Sequence, residues 1–176
     1  MELWKIGDSP AAPKFNIISS PNDWAKAVRS SGGNRELTEN NLFQLDFWQG
    51  LTDYLKANRS ILRTRKAQAQ HWYDFAIGSS LAHLCMVVSV KDNFIRAEFY
   101  ITNNKELYNM LFEKKVEIEK LLGFPMDWQE LPNAKASRIA VQKDVTNIKD
   151  EKQIKEAYEW YKIHGEILMK IVTKYL

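Results

Sequence analysis

The run Ala82-His83-Leu84-Cys85-Met86-Val87-Val88-Ser89-Val90-Lys91-Asp92-Asn93-Phe94-Ile95-Arg96-Ala97-Glu98-Phe99-Tyr100-Ile101-Thr102 decides the fold. Two stretches rich in apolar, aromatic and β-branched residues flank Lys91-Asp92-Asn93, three polar residues with the chemistry of a hairpin turn. In the second stretch Ile95, Ala97, Phe99 and Ile101 alternate with Phe94, Arg96, Glu98 and Tyr100. Successive side chains of a strand point to opposite faces, so one face is apolar and the other amphipathic or wet. An antiparallel sheet with one covered face follows.

Working outward, Trp72 to Gly78 reads as a further strand, closed by Gly78-Ser79-Ser80 as a turn. Ahead of it, Thr38 can cap a helix running to about Asn58, with Phe43, Phe47, Leu51, Tyr54 and Leu55 at helical spacing. Beyond the hairpin, a helix begins at Asn103 or Asn104, where Asn103 with Glu106 has the spacing of a capping box, and Leu107, Leu111, Ile118 and Leu122 form its buried stripe up to Gly123. Asp127 to Leu131 and Arg138 to Val145 read as a second hairpin around Pro132-Asn133-Ala134-Lys135, with Ile139 and Val141 on one face. A last helix spans about Lys149 to Tyr175, its main stripe Ile154, Tyr158, Tyr161, Leu168, Val172 and Tyr175, with Asp150 and Glu151 at the positive end. Trp160, Ile163, Ile167 and Ile171 add a second apolar stripe. The expected fold is therefore α+β, an about five-stranded mainly antiparallel sheet with three main helices packed on one face.

Residues 1–37 read as an extended arm or linker, broken by Pro10, Pro13 and Pro21 and loosened by Gly32-Gly33-Asn34, with a short helix from Pro21-Asn22-Asp23-Trp24 to Val28. Residues 38–176 are expected to form a single α+β domain. An opening of this kind also suggests a fragment or a C-terminal module of a longer protein.

Composition narrows the class. A chain of 176 residues with 45% hydrophobic and 27% charged residues is that of an ordinary globular domain. The single cysteine, Cys85, cannot form an internal disulfide, which fits a reducing compartment. The start lacks the pattern of a signal peptide and no run approaches a membrane span, so a cytoplasmic location without membrane contact is expected. The net charge of +3 permits nucleic-acid contact without arguing for it.

Catalytic chemistry finds little footing. His71, His83 and His164 hold no metal-ligand spacing, and His83 with Cys85, two apart on one strand, reads as a structural pair pointing into the core rather than a ligand or nucleophile pair. No nucleophile elbow, phosphate loop, dinucleotide fingerprint or zinc-protease motif is present. Asp127, Glu130 and Lys143 could meet across the second hairpin as a weak nuclease arrangement, whereas Glu113 to Lys120 is the alternating charge of a solvated helix face. No metal, cofactor or catalytic residue is expected, and the chain alone reads as non-catalytic.

The most suggestive stretch lies between Arg59 and Tyr73. Arg59, Arg63, Arg65 and Lys66 place four cations within eight residues. Gln70 and Trp72 follow, a composition suited to phosphate contacts with base stacking alongside. These six are the candidate nucleic-acid-binding residues. The competing reading is a solvated helix end and loop leading into a strand, with Trp72, like Phe99, in the core.

Phe47-Trp48-Gln49-Gly50-Leu51, Gln70-His71-Trp72-Tyr73-Asp74-Phe75-Ala76-Ile77-Gly78, the strand Ile95 to Ile101, and Trp128 with Arg138-Ile139 resemble a bacterial domain family of unknown function, numbered 4268. The resemblance covers roughly Leu42 to the C-terminus. It implies a C-terminal module preceded by a restriction-endonuclease-like domain, and Trp4-Lys5-Ile6-Gly7-Asp8-Ser9-Pro10 is similar to the join. It carries no catalytic residues onto this chain. The expectation is an accessory domain that helps a nuclease-like partner engage nucleic acid. The alternative is a protein-interaction or homodimerisation module using the C-terminal helix.

Overall fold

The computed structural model describes residues 2–4, 12–14 and 38–176. It divides into two compact units, Met1–Thr38 and Glu39–Leu176. In the first, β1 (Glu2–Trp4) pairs antiparallel with β2 (Ala12–Lys14). The helix expected at 21–28 lies outside the described residues.

The second unit carries α1 (Glu39–Ala57), β3 (Trp72–Phe75), β4 (Ala82–Ser89), β5 (Phe94–Ile101), α2 (Lys105–Glu113), α3 (Lys115–Leu122), β6 (Asp127–Gln129), β7 (Ser137–Asp144) and α4 (Glu151–Tyr175). The five strands β3 to β7 form one antiparallel sheet in the order β3-β4-β5-β7-β6. The α+β architecture expected from the hairpin at 82–102 is the one observed.

Register determines which residues share a face. Tyr73, Met86, Ala97 and Val141 pair across the sheet in one row, and Phe75, Leu84, Phe99, Ile139 and Trp128 in the next. These rows meet the helices. Phe47, Trp48 and Leu51 of α1 and Tyr161 and Leu168 of α4 are buried against them. Two buried hydroxyls fix α4 in place, since Tyr158 donates to the Phe47 carbonyl at 2.9 Å and Tyr161 to the Val87 carbonyl at 2.7 Å. A buried hydroxyl left without a partner costs about 1–3 kcal/mol, so these bonds select one docking of the helix.

Several details depart from the sequence reading. Adjacent residues of a strand cannot both face the helices, and it is Tyr73 that does so, its ring 5.6 Å from Trp48. Trp72 therefore faces the other side and stays 38% exposed, outside the core in which it was expected, while Phe99 is fully buried. His83 and Cys85 do share a face, but it is likewise the one opposite the helices.

The helix expected from 103 to 123 is two, interrupted at Lys114, whose N–H reaches back to the Leu111 carbonyl at 3.0 Å. All four stripe residues are buried nonetheless. Of its two candidate starts Asn104 is the cap, with Oδ1 accepting from the Leu107 N–H at 2.8 Å, so the capping box from Asn103 is not the one formed. Gly123 ends α3 in the left-handed conformation at φ 87°, where a residue with Cβ would be strained.

On α4, Ile171 is fully buried while Ile163 is 46% exposed. The second stripe is therefore split. α3 lies along the C-terminal part of α4, joined by a Lys174–Glu117 ion pair, and adds cover there that the sheet alone would not supply. Asp150 caps α4, accepting from the Lys152 and Gln153 N–H groups.

Candidate functional site on the open sheet face

With the helices on one side, the opposite sheet face carries a row of Ser89, Phe94 and Asp144 beside the hairpin turn and three further cross-strand rows. Trp72, Val87, Arg96 and Gln142 form the first. Asp74, Cys85, Glu98, Ala140 and Asp127 form the second. His83, Tyr100, Arg138 and Gln129 form the third. A face of this kind, with two arginines, carboxylates and large aromatic rings, is not a second hydrophobic core. It forms a cleft of about 470 Å³ with Cys85, Val87 and Glu98 at its base and His71, Trp72, Tyr100 and Arg138 around it.

Glu98 is the most buried charge here, at 4% exposure. Arg96 Nε lies 2.7 Å and Arg138 Nη1 3.6 Å from its Oε2, so two guanidinium groups flank one carboxylate. The directions do not match the distances. Glu98 Oε2, Arg96 Nε and Arg138 Nε are buried without a hydrogen-bond partner, and so is Asp74 Oδ1, which faces His83 Nε2 at 3.4 Å. Coulomb attraction holds the set together while hydrogen-bonding capacity is left over. Buried polar atoms are satisfied in the great majority of cases, so a cluster of such atoms lining one cleft calls for an explanation.

Cys85 is part of the floor. Burial first, and then the Glu98 and Asp74 carboxylates, push its thiol far above the ordinary range, so it stays protonated. The His83 ring packs 5.2 Å from Tyr100.

A second depression of about 290 Å³ adjoins this cleft at the β3 edge, lined by Arg65, Lys66, Gln68, Gln70, Trp72, Tyr73 and Asp74. Trp72 and Asp74 belong to both. The connecting segment has no regular secondary structure, yet its backbone is held at several points. Tyr73 reaches it with its hydroxyl, which takes the Arg65 N–H and donates to the Arg65 carbonyl, each at 2.6 Å. The Trp48 indole N–H donates to the Gln70 carbonyl at 2.7 Å, and the Val88 N–H to the His71 carbonyl at 2.9 Å. The Tyr73 ring that fills the core thus also fixes the position of Arg65.

Of the six residues singled out in the sequence, Arg65, Lys66, Gln70 and Trp72 come together around this groove. Arg59 and Arg63 are exposed but do not line it. Arg59 terminates the turn after α1 with φ 49°. Asp127 faces the open side opposite Ala140, whereas Lys143 pairs with Ile95 on the helix side, so the weak nuclease arrangement is not assembled. Among the described residues no group of three or more His, Cys, Asp or Glu side chains is placed to hold a metal ion.

Sequence reasoning missed Asp74, His83, Glu98 and Arg138 as one cluster. The alternation in β5 already put Arg96, Glu98 and Tyr100 on a common face. What it lacked was the β5–β7 register, which sets Arg138 opposite Tyr100.

Fold and site together define an α+β domain with one helix-covered sheet face and one open, polar and aromatic face. Residues 43–176 match the family described as Domain of unknown function (DUF4268), and the chain belongs to it. No curated protein and no solved structure matches the chain. Among the described residues no helix is long and apolar enough to cross a membrane.

Proposed function

We propose that this chain is a non-catalytic accessory module that engages single-stranded nucleic acid on its open sheet face. In a longer protein it would serve a nuclease-like partner domain, the arrangement that the family resemblance implies. One observation carries the reading: the Arg65–Lys66–Gln70 groove runs into the open-face cleft through a half-exposed Trp72. Phosphates need cations and bases need π-faces, and the strand can lie along a path that offers both in succession. Stacking a base on an aromatic ring is worth about 1–3 kcal/mol and tolerates any sequence.

The test is fluorescence anisotropy with a labelled thymidine decamer at low salt. The wild-type chain binds, and affinity falls with salt as counterions are released. Arg65→Glu combined with Lys66→Glu lowers affinity and makes the log–log salt slope shallower by about 1.4, two single-strand phosphate contacts at roughly 0.7 each. Wild-type binding that is absent at low salt, or unaltered in the double variant, removes the reading.

A second reading rests on a different surface. Ile61 at 64% and Leu121 at 36% exposure line a shallow apolar groove with Met169. Such exposure suits a protein contact beside the C-terminal helix. Sedimentation of the wild type as a dimer, and of Ile61→Asp as a monomer, is the result this reading requires.

A further inference from the structure

We infer that the open-face cleft is a guanine site: it holds one unpaired guanine base of a single strand by its donor edge, with the neighbouring phosphate in the Arg65–Lys66 groove. The inference rests on the proposed nucleic-acid reading and goes beyond it by naming the base. Its ground is a set of buried charged atoms at the cleft that make no aligned hydrogen bond, although Arg96 Nε and Glu98 Oε2 lie 2.7 Å apart and Asp74 Oδ1 lies 3.4 Å from His83 Nε2. Two of them, Glu98 Oε2 and Asp74 Oδ1, are carboxylate oxygens that accept, and two, Arg96 Nε and Arg138 Nε, are guanidinium nitrogens that donate. A phosphate satisfies the arginines but is repelled by Glu98. An ammonium satisfies the carboxylates but is repelled by the arginines. A ligand with donors and acceptors side by side on one planar frame satisfies both.

Guanine has that pattern. Its N1–H and 2-amino group are adjacent donors matched to a carboxylate, and its O6 and N7 are adjacent acceptors matched to a guanidinium. Adenine and cytosine each offer only one amino donor, and thymine only one imide N–H. The cleft, at about 470 Å³, falls within the range of small-ligand sites, and Trp72 and Tyr100 stand beside it as stacking surfaces. Its join to the basic groove at Trp72 and Asp74 places a base and its phosphate in adjoining compartments. That continuity favours a base within a strand over a free nucleotide.

The experiment compares thymidine decamers carrying a single central guanine, inosine, adenine or cytosine, by anisotropy with the whole chain. The guanine decamer binds roughly tenfold more tightly than the all-thymidine one. Inosine, which lacks only the 2-amino group, loses most of that gain. In Glu98→Gln the ratio between guanine and thymidine decamers falls to about one, and should this variant not fold, the inosine comparison alone decides. Equal affinity for every decamer overturns the guanine site and leaves the nucleic-acid reading standing, whereas no binding of any decamer overturns both. Displacement of the guanine decamer by guanosine monophosphate at concentrations near the decamer's own Kd overturns the strand as the source of the base.

Discussion

At the scale of single residues, Trp72 and Phe99 are two aromatics that the sequence places alike and the structure places apart. Phe99 lies wholly within the helix-covered core, and its truncation to Ala is expected to cost about 3–5 kcal/mol. Trp72→Ala removes a ring that keeps 38% of its surface in solvent, so thermal unfolding should shift far less than for Phe99→Ala. Comparable losses in the two variants would place Trp72 back in the core. His164 supplies a pH signature. Its Nδ1–H donates to the Trp160 carbonyl at 2.9 Å and its ring stacks on Trp160 with centroids 4.1 Å apart. Burial first, and then the Lys143 charge, hold the imidazole below its ordinary value, against the opposing effect of that hydrogen bond. A depressed folded value means that the unfolded chain takes up the proton first as pH falls. Stability from this group is therefore present above the unfolded value of about 6.5 and is lost as the pH falls below it. The melting temperature measured downward from pH 7.5 should decline less steeply in His164→Gln than in the wild type, and identical slopes would contradict the assignment.

At the scale of elements, the docking of α4 against α1 is set by one close approach. A Cβ on Gly50 would come within 3.0 Å of Tyr158 Cζ and closer still to its hydroxyl oxygen, the atom that donates to Phe47. Gly50→Ala gains about 1 kcal/mol of helix propensity, but overpacking costs typically about 1–3 kcal/mol and the hydroxyl bond is displaced with it. The net effect is destabilising. Tyr158→Phe removes the oxygen in the way, so Gly50→Ala should cost less in that background, and additive effects in the double-mutant cycle would contradict the contact. Elements of this kind were largely legible in the sequence, because period-two alternation in β5 and three-to-four spacing in α1 and α4 follow directly from backbone geometry. The break at Lys114 was not, since neither proline nor glycine marks it and the stripe from Leu107 to Leu122 suits one helix or two. The site was half legible. The cations and Trp72 stand together in the chain, whereas the Glu98–Arg138 pair exists only once β7 has found its register against β5.

At the scale of the whole molecule, one face of the sheet is covered by helices and the other presents the residues with chemistry. The chain should leave plasmid and single-stranded nucleic acid intact in the presence of Mg²⁺ or Mn²⁺, since Asp127 and Lys143, which could have served such an ion and its phosphate, lie on opposite faces of the sheet. Cleavage abolished by Asp127→Ala would overturn that statement. The central claim is that nucleic acid is met on the open face, and a titration of the isotope-labelled chain with a thymidine decamer, followed by amide and indole chemical shifts, tests it most directly. Shifts are expected at Arg65, Lys66, Gln70 and the Trp72 indole N–H, continuing through Arg96, Tyr100 and Arg138, with α1 and α4 unaffected. Shifts confined to Ile61, Leu121 and Met169, or no shifts at low salt, would contradict it.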